Sequence, residues 1–347
     1  MVLVATSVLG VGVVPAQAAA GFDPGASRVA GVDRYDTAAR AAVGVHGART
    51  VVVANGETNG IDALGAAYLA GVVDGPVLLT RRDDVPATTA RALAALDPET
   101  VLVLGSEASV APATYDALTA GRAGQRIYGP DRYATAAAVA AFARATELRR
   151  GLTPVSTVLL ARGDVAVDEV AADALALSPV AFAGRVPVLL TGTDDLPAAT
   201  ATALRNLRPD AVVVAGDEHA VSSAVLEQVG QVAGVAAPQR LAGTDRTATA
   251  VAVADSNLAA AAGLTAKGAG FANGTRVDAL VAGPVLGRQG LPLLLSESRT
   301  SMGAATTGWV LTHQDTLTIG LAFGDSEALT DAVLNSIKSP ASASPVG

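Results

Sequence analysis

Short apolar runs alternate with Ala-rich segments along the chain, and the alternation repeats with a period of roughly a hundred residues. "TVVVANG" begins at Thr50, "STVLLARG" at Ser156 and "GAGFANG" at Gly268. None of these runs shows period-two alternation, so each predicts a short strand covered on both faces. Asp-Ala-Leu follows at Asp62, Asp173 and Asp278, each time opening an Ala/Leu-rich segment of helical character. Fourteen residues after each aspartate a Pro opens another apolar run, "PVLLT" at Pro76 and Pro187 and "PLLLS" at Pro292. A last strand ends in Gly, 29 residues after the Pro at Gly105 and Gly216 and 32 after it in the looser third copy, if Gly324 is the match.

Each repeat opens on a further shared stretch. "RVAGVDRYDTAARAAV" at Arg28 returns as "RIYGPDRYATAAAVAA" at Arg126 and "RLAGTDRTATAVAVAD" at Arg240. It predicts a short strand, a turn and an Ala-rich helix. Every repeat then reads β-α-β-α-β-α-β-α, which implies a parallel sheet with right-handed crossovers. The fold class expected is α/β, three tandem small doubly wound modules. Gly/Ala/Pro-rich stretches at 119–125 and 234–239 place the boundaries, giving modules over 26–123, 124–237 and 238–338.

The repeated side chains divide into two kinds. Asp33, Asp131 and Asp245 stand where an N-cap carboxylate would accept backbone N–H groups. Thr37, Thr135 and Thr249 fall in the first turns of the helix, and Asp62, Asp173 and Asp278 read as first-turn acids, all structural roles. The arginines need another reason. Arg34, Arg132 and Arg246 put a cation at a helix N-terminus, against the helix dipole, and Arg28, Arg126 and Arg240 begin the strand six residues earlier. Their expected partner is an acid: either an Asp of the same or a neighbouring module, or a ligand carboxylate or phosphate gripped by the guanidinium fork.

Composition removes several function classes. Of 347 residues 50% are apolar, which excludes a disordered chain, and only 3% are aromatic, which leaves few platforms for stacking bases or sugars. A net charge of −8 argues against a nucleic-acid partner, which needs a basic face. Without cysteine there is no disulfide frame, thiolate nucleophile or Cys-ligated zinc. His46, His219 and His313 occupy unrelated positions, and no nucleophile elbow, P-loop or dinucleotide fingerprint is present, so no cofactor is expected. The paired acids Asp83-Asp84 and Asp194-Asp195 precede Pro-Ala and suit helix capping rather than catalysis. At the N-terminus an apolar run ends in Ala16-Gln17-Ala18, a cleavage pattern, so residues 1–20 read as a secretory signal lacking its basic region. The run is too short to span a bilayer. Residues 339–347, small and polar, read as a disordered tail.

The pattern R-x-x-G-x-D-R-x-x-T-A, then D-A-L, then P-V-L-L-T, then a strand ending in Gly resembles the cell wall binding repeat 2 family, over nearly the whole chain after residue 25. The resemblance implies three doubly wound modules around a pseudo-threefold axis in a secreted protein of a Gram-positive bacterium. It further implies non-covalent attachment to the envelope by an anionic secondary wall polymer lying in grooves near module contacts. It gives weight to Arg34, Arg132 and Arg246, and to the strands ending "LLT" or "LLS", as the polymer-proximal elements. Thr247 departs from the pattern, standing where the other copies have Tyr35 and Tyr133. Many relatives carry an amidase, protease or adhesin domain, for which this sequence leaves no residues. A non-enzymatic wall-binding protein that needs no oligomerisation is therefore expected, with a wall hydrolase acting between modules as the alternative.

Overall fold

The computed structural model describes residues 22–338 apart from 26, 46, 58–60 and 167–170, and omits the side chains of residues 61, 277 and 278. The signal reading of residues 1–20, the tail 339–347, His46 and the Asp278 side chain therefore lie outside the described residues.

Twelve strands are described: β1 (Arg28–Val29), β2 (Thr50–Asn55), β3 (Val77–Thr80), β4 (Thr100–Leu104), β5 (Ala123–Ile127), β6 (Thr157–Arg162), β7 (Val188–Thr191), β8 (Ala211–Ala215), β9 (Gln239–Leu241), β10 (Gly268–Asn273), β11 (Leu293–Ser296) and β12 (Ile319–Phe323). They form three four-stranded sheets, ordered β3-β2-β4-β5, β7-β6-β8-β9 and β11-β10-β12-β1. Every pairing is parallel. The apolar runs become strands because four consecutive side chains, as in Val77–Thr80, Val188–Thr191 and Leu293–Ser296, are buried at once. Only a sheet with helices on both faces offers that environment.

Sheets and sequence repeats are offset by one strand. The Arg-bearing strand that opens each repeat joins the preceding sheet: β5 pairs with β4, β9 with β8, and β1 with β12 of the last sheet. The stretches expected to be linkers supply part of these strands, since residues 123–125 lie in β5 and Gln239 in β9. Their exposure explains why they carry no apolar signal; the first three residues of β5 are exposed. The exchange closes a ring of three modules within one chain.

The helices reinforce that ring. The helices Ala66–Val73, Ser178–Ala183 and Ala282–Gln289 occupy equivalent places in the repeats and pack on one another. One continuous apolar core runs through all three repeats, joining Leu69, Val180 and Leu286, each 0% exposed. Burying each such side chain contributes about 1.5–3 kcal/mol. The helices opening on the repeated arginines bridge neighbours. Arg132–Arg149 packs on Ala66–Val73 of the first repeat and on β7 of its own, and Arg246–Ala254 packs on Ala172–Ala176 and β11. Arg34–Val43 packs on β3 and on the 3-10 turn Val277–Val281. Among the described residues no helix is long and apolar enough to cross a membrane.

A buried polar pair marks the first of these bridges. The Tyr68 hydroxyl donates to Glu147 Oε2 at 2.9 Å. The Glu147 side chain is fully buried, with Arg144 Nε 3.9 Å away. Burial pushes the Glu147 carboxyl above its ordinary pKa, and the Tyr68 bond and the Arg144 and Arg185 charges only partly offset it. The folded chain therefore holds this proton to higher pH than the unfolded chain, so stability falls as pH rises from the ordinary carboxylate range through the raised value. Glu147→Gln is expected to keep the bond from Tyr68 and to flatten that fall. Thermal midpoints of both proteins measured from pH 4 to pH 7 check it; parallel curves would contradict it.

Candidate functional site: the crevices between repeats

The repeated Gly-x-Asp-Arg-x-x-Thr has a local explanation. Oδ1 of Asp33 accepts the Asp36 N–H at 2.8 Å, that of Asp131 the Ala134 N–H at 2.7 Å, and that of Asp245 the Thr247 and Ala248 N–H groups at 2.8 and 2.9 Å. These are N-caps, worth about 1 kcal/mol each. The Thr hydroxyls accept the N–H of the motif glycine, Gly31 to Thr37 at 3.0 Å, Gly129 to Thr135 at 3.1 Å and Gly243 to Thr249 at 3.2 Å. The loop lies so close to the helix that a Cβ on Gly31, Gly129 or Gly243 would stand 2.4, 2.4 or 2.2 Å from a side chain of the first turn.

The arginines meet backbone carbonyls rather than the acids the sequence suggested for most of them. Nη1 of Arg126 donates to the carbonyls of Gly105 and Ser106 at 3.0 and 3.1 Å, and Nη1 of Arg240 to those of Gly216 and Asp217 at 2.7 and 2.8 Å. Arg28 does the same to Gly324 and Asp325 at 2.8 and 3.0 Å, and alone of the three also pairs with a carboxylate, Asp331, at 2.8 Å. These three clasp the end of the sheet their strand has joined. Arg34 donates to Gly56 O at 2.6 Å, Arg132 to Gly163 O at 2.6 Å and Arg246 to Gly274 O at 2.9 Å. The outward carbonyls at the carboxyl ends of parallel strands carry the negative charge that a helix N-terminus lacks, which is why an Arg is tolerated there.

Arg132 and Arg246 also border the crevice at the carboxyl end of the preceding repeat's sheet. The sheet order makes that end a topological switch point, since the connections leaving the two adjacent inner strands, β2 to β3 and β4 to β5 in the first sheet, run in opposite directions, the place where α/β proteins hold ligands. Asp62 and Asp173 sit there. Asp62 accepts the Ser109 hydroxyl at 2.7 Å; burial pushes its pKa up, and Ser109 and Arg132 draw it partly down. Burial also raises Asp173, with Arg162, the Thr249 hydroxyl and Arg246 opposing and Asp217 adding to the rise. Arg132 and Arg246 thus act on the Asp of the preceding repeat across the junction. The glycine ending the last strand belongs to the same device. Gly105, Gly216 and Gly324 have φ of 98°, 106° and 94°, and a Cβ on the first two would lie 2.8 and 2.7 Å from the Asp62 and Asp173 carboxylates. Their N–H groups donate to Ile127, Leu241 and Val29, each at 3.0 Å, which identifies Gly324 as the third match.

At the junction of the second and third repeats the crevice is a cavity of about 320 Å³, lined by Arg162, Asp173, Asp217, Asp245, Arg246 and Thr249 among others. Arg162 and Asp217 went unremarked in the sequence; they show only when the three copies are compared column by column. Burial pushes Asp217 up, but hydrogen bonds from the Ala220 N–H and from His219 outweigh it and hold the carboxyl below its usual range.

The remaining candidates lie elsewhere. The paired acids do not cap: the caps are Pro86 and Pro197, which have no side-chain acceptor. Asp83 and Asp84 instead pair with Arg82 and Arg81. His219 is exposed beside Asp217, and His313 stacks on Trp309 with ring centroids 4.2 Å apart. Among the described residues no three His, Cys, Asp or Glu side chains gather as a metal site.

Three parallel sheets sharing strands in a ring, with a charged crevice where one repeat meets the next, define a tandem-repeat α/β binding architecture. The chain belongs to the cell wall binding domain 2 (CWB2) family, whose pattern matches residues 28–115, 126–226 and 240–334. It is 31% identical over 220 residues to the amidase enhancer of Bacillus subtilis, covering 63% of this chain and 28% of that protein. It is 25% identical over 322 residues to the N-acetylmuramoyl-L-alanine amidase LytC of the same organism, covering 92% and 59%. Cwp6 from Clostridium difficile shares the fold with a TM-score of 0.74 and 24% identity, over 91% of this chain and 48% of that one. Cwp8 from the same species gives 0.73 and 22%, over 90% and 51%. The chain thus spans less than two thirds of the length of each of these relatives.

Proposed function

We propose that this chain binds the bacterial cell wall non-covalently, through an anionic secondary polymer held in the crevices between repeats, and acts outside the cell as an anchor rather than as an enzyme. The observation that carries this reading is the recurrence, at the carboxyl ends of successive sheets, of an Arg from one repeat beside the Asp of the repeat before it: Arg132 by Asp62 and Arg246 by Asp173. Family membership supports the wall as the target. Arg34, Arg132 and Arg246 are the ligand contacts in this reading, while Arg28, Arg126 and Arg240, each on a strand exchanged into the preceding sheet and clasping the end of that sheet, hold the ring closed. Three modest sites in one rigid ring gain strength through effective concentration, so no second copy of the chain is required.

One observation favours the hydrolase reading: a raised carboxyl, Asp173, and a lowered one, Asp217, line the same cavity, the pattern of an acid/base pair. Sedimentation with isolated Gram-positive walls separates the two. The chain is expected to pellet with walls at low salt, to be released by about 0.5 M salt as charge attraction is screened, and to leave wall turbidity unchanged. A chain that stays in solution while turbidity falls would overturn the binding reading in favour of hydrolysis.

A further inference from the structure

The three junctions share their elements but not their side chains. The strand opening each crevice ends in Asn55, Arg162 and Asn273 in turn. Both asparagines are tied down, Asn55 Nδ2 to the carbonyl of Ser109 and Asn273 Nδ2 to that of Ala328 at 2.8 Å. The residue after the positive-φ glycine is Ser106, Asp217 and Asp325, and three residues further on stand Ser109, Ala220 and Ala328. At the first junction the Ser109 hydroxyl covers the Asp62 carboxylate at 2.7 Å. At the second, Ala220 has no hydroxyl to offer Asp173. At these columns the second junction therefore adds one cation and one anion relative to the first, and its buried carboxyl takes a hydroxyl from Thr249 of the next repeat in place of the serine.

All these changes meet in one place. Arg162, Asp173, Asp217 and Arg246 line one and the same cavity of about 320 Å³, a volume at the lower end of small-molecule sites, about 300 Å³. A plain phosphate there would gain two guanidinium groups and face the carboxylates of Asp173, Asp217 and Asp245. A plain ammonium would gain the carboxylates and face both guanidinium groups. Each simple ion meets like charge that weakens it, whereas a group carrying both charges can turn each end to the opposite set and offset that repulsion.

We propose that the cavity between the second and third repeats binds a zwitterionic group, its phosphate or carboxylate held by Arg162 and Arg246 and its ammonium by Asp173 and Asp217. The proposal rests on the wall-binding reading for the origin of that group, a substituent or repeat unit of the wall polymer. The second junction then supplies selectivity, and the other two supply charge attraction.

O-phosphoethanolamine is a small probe with both charges, and calorimetric titration of the full chain tests the proposal. One saturable site is expected, with inorganic phosphate and ethanolamine each at least about tenfold weaker. Arg162→Asn and Asp217→Ser install residues that the first junction already carries, and each is expected to weaken the probe at least about tenfold. The converse variant, Asn55→Arg with Ser106→Asp and Ser109→Ala, is expected to raise the stoichiometry to two. Inorganic phosphate binding as tightly as the probe, or single variants that leave probe binding unchanged, would overturn the proposal. Wall sedimentation keeps the two readings apart. A chain that pellets with walls but ignores the probe refutes the zwitterion site alone; one that takes the probe with this pattern yet leaves walls in suspension refutes wall binding and upholds the cavity.

Discussion

Phe22→Ala is expected to destabilise the chain by about 3–5 kcal/mol, the usual result of emptying a buried aromatic site, with the loss centred on the third sheet. Phe22 is 2% exposed and meets Phe271 edge-on with centroids 5.9 Å apart. It heads a strap that completes that sheet: Asp23 pairs with Lys338, β1 pairs with β12, and Arg28 clasps the carbonyls of Gly324 and Asp325. The first and second sheets receive their edge strand from the chain directly after one helix, Pro112–Thr119 or Ser223–Ala233. The third receives it from the opposite end of the sequence. Arg28 and Gly324 are 296 positions apart, so closure entropy weighs most heavily here and local side-chain contacts must offset it. The only tryptophan, Trp309, lies in the same apolar cluster as Phe22. Urea unfolding followed by its fluorescence reports on this module in particular. A midpoint that Phe22→Ala leaves in place would mean that the strap does not hold the third sheet.

The strap also marks where the sequence ceased to be legible. The buried strands could be read from "TVVVAN", "TVLLAR" and the Pro-led runs because a strand covered on both faces must be continuously apolar. Their equal spacing in three copies gave the α/β class and the repeat count. The exchange of edge strands left no such trace, since β1 has two residues and β5 begins with Ala123, Gly124 and Gln125 in solvent. Local composition names a strand but not its neighbour. The arginines were legible as residues needing a partner and illegible as to which. A backbone carbonyl carries no letter in the sequence, so an acid was the natural expectation, and only Arg28 of the six has a carboxylate partner among the described contacts. The caps at Asp33, Asp131 and Asp245 needed only local geometry. The special character of the second junction lay in the differences between copies at Asn55, Arg162 and Asn273, whereas the repeat pattern drew the eye to what they share.

The role of Arg34, Arg132 and Arg246 can be isolated by keeping their charge and removing their shape. Truncation to Ala would also lose the hydrogen bonds to Gly56, Gly163 and Gly274, each worth about 1.5–3 kcal/mol for a charged donor, and so would confuse folding with binding. Lysine retains a cation able to donate to those carbonyls and lacks the planar fork that grips an anion with two parallel bonds. The measurement that tests wall binding at the junctions most directly is therefore the affinity of the triple variant Arg34→Lys, Arg132→Lys, Arg246→Lys for isolated walls at low salt, with its thermal midpoint as the control. The expected result is a midpoint within a few degrees of the parent and wall affinity at least about a hundredfold lower, since small losses at three linked sites multiply. Undiminished wall affinity in a variant that folds like the parent would contradict it.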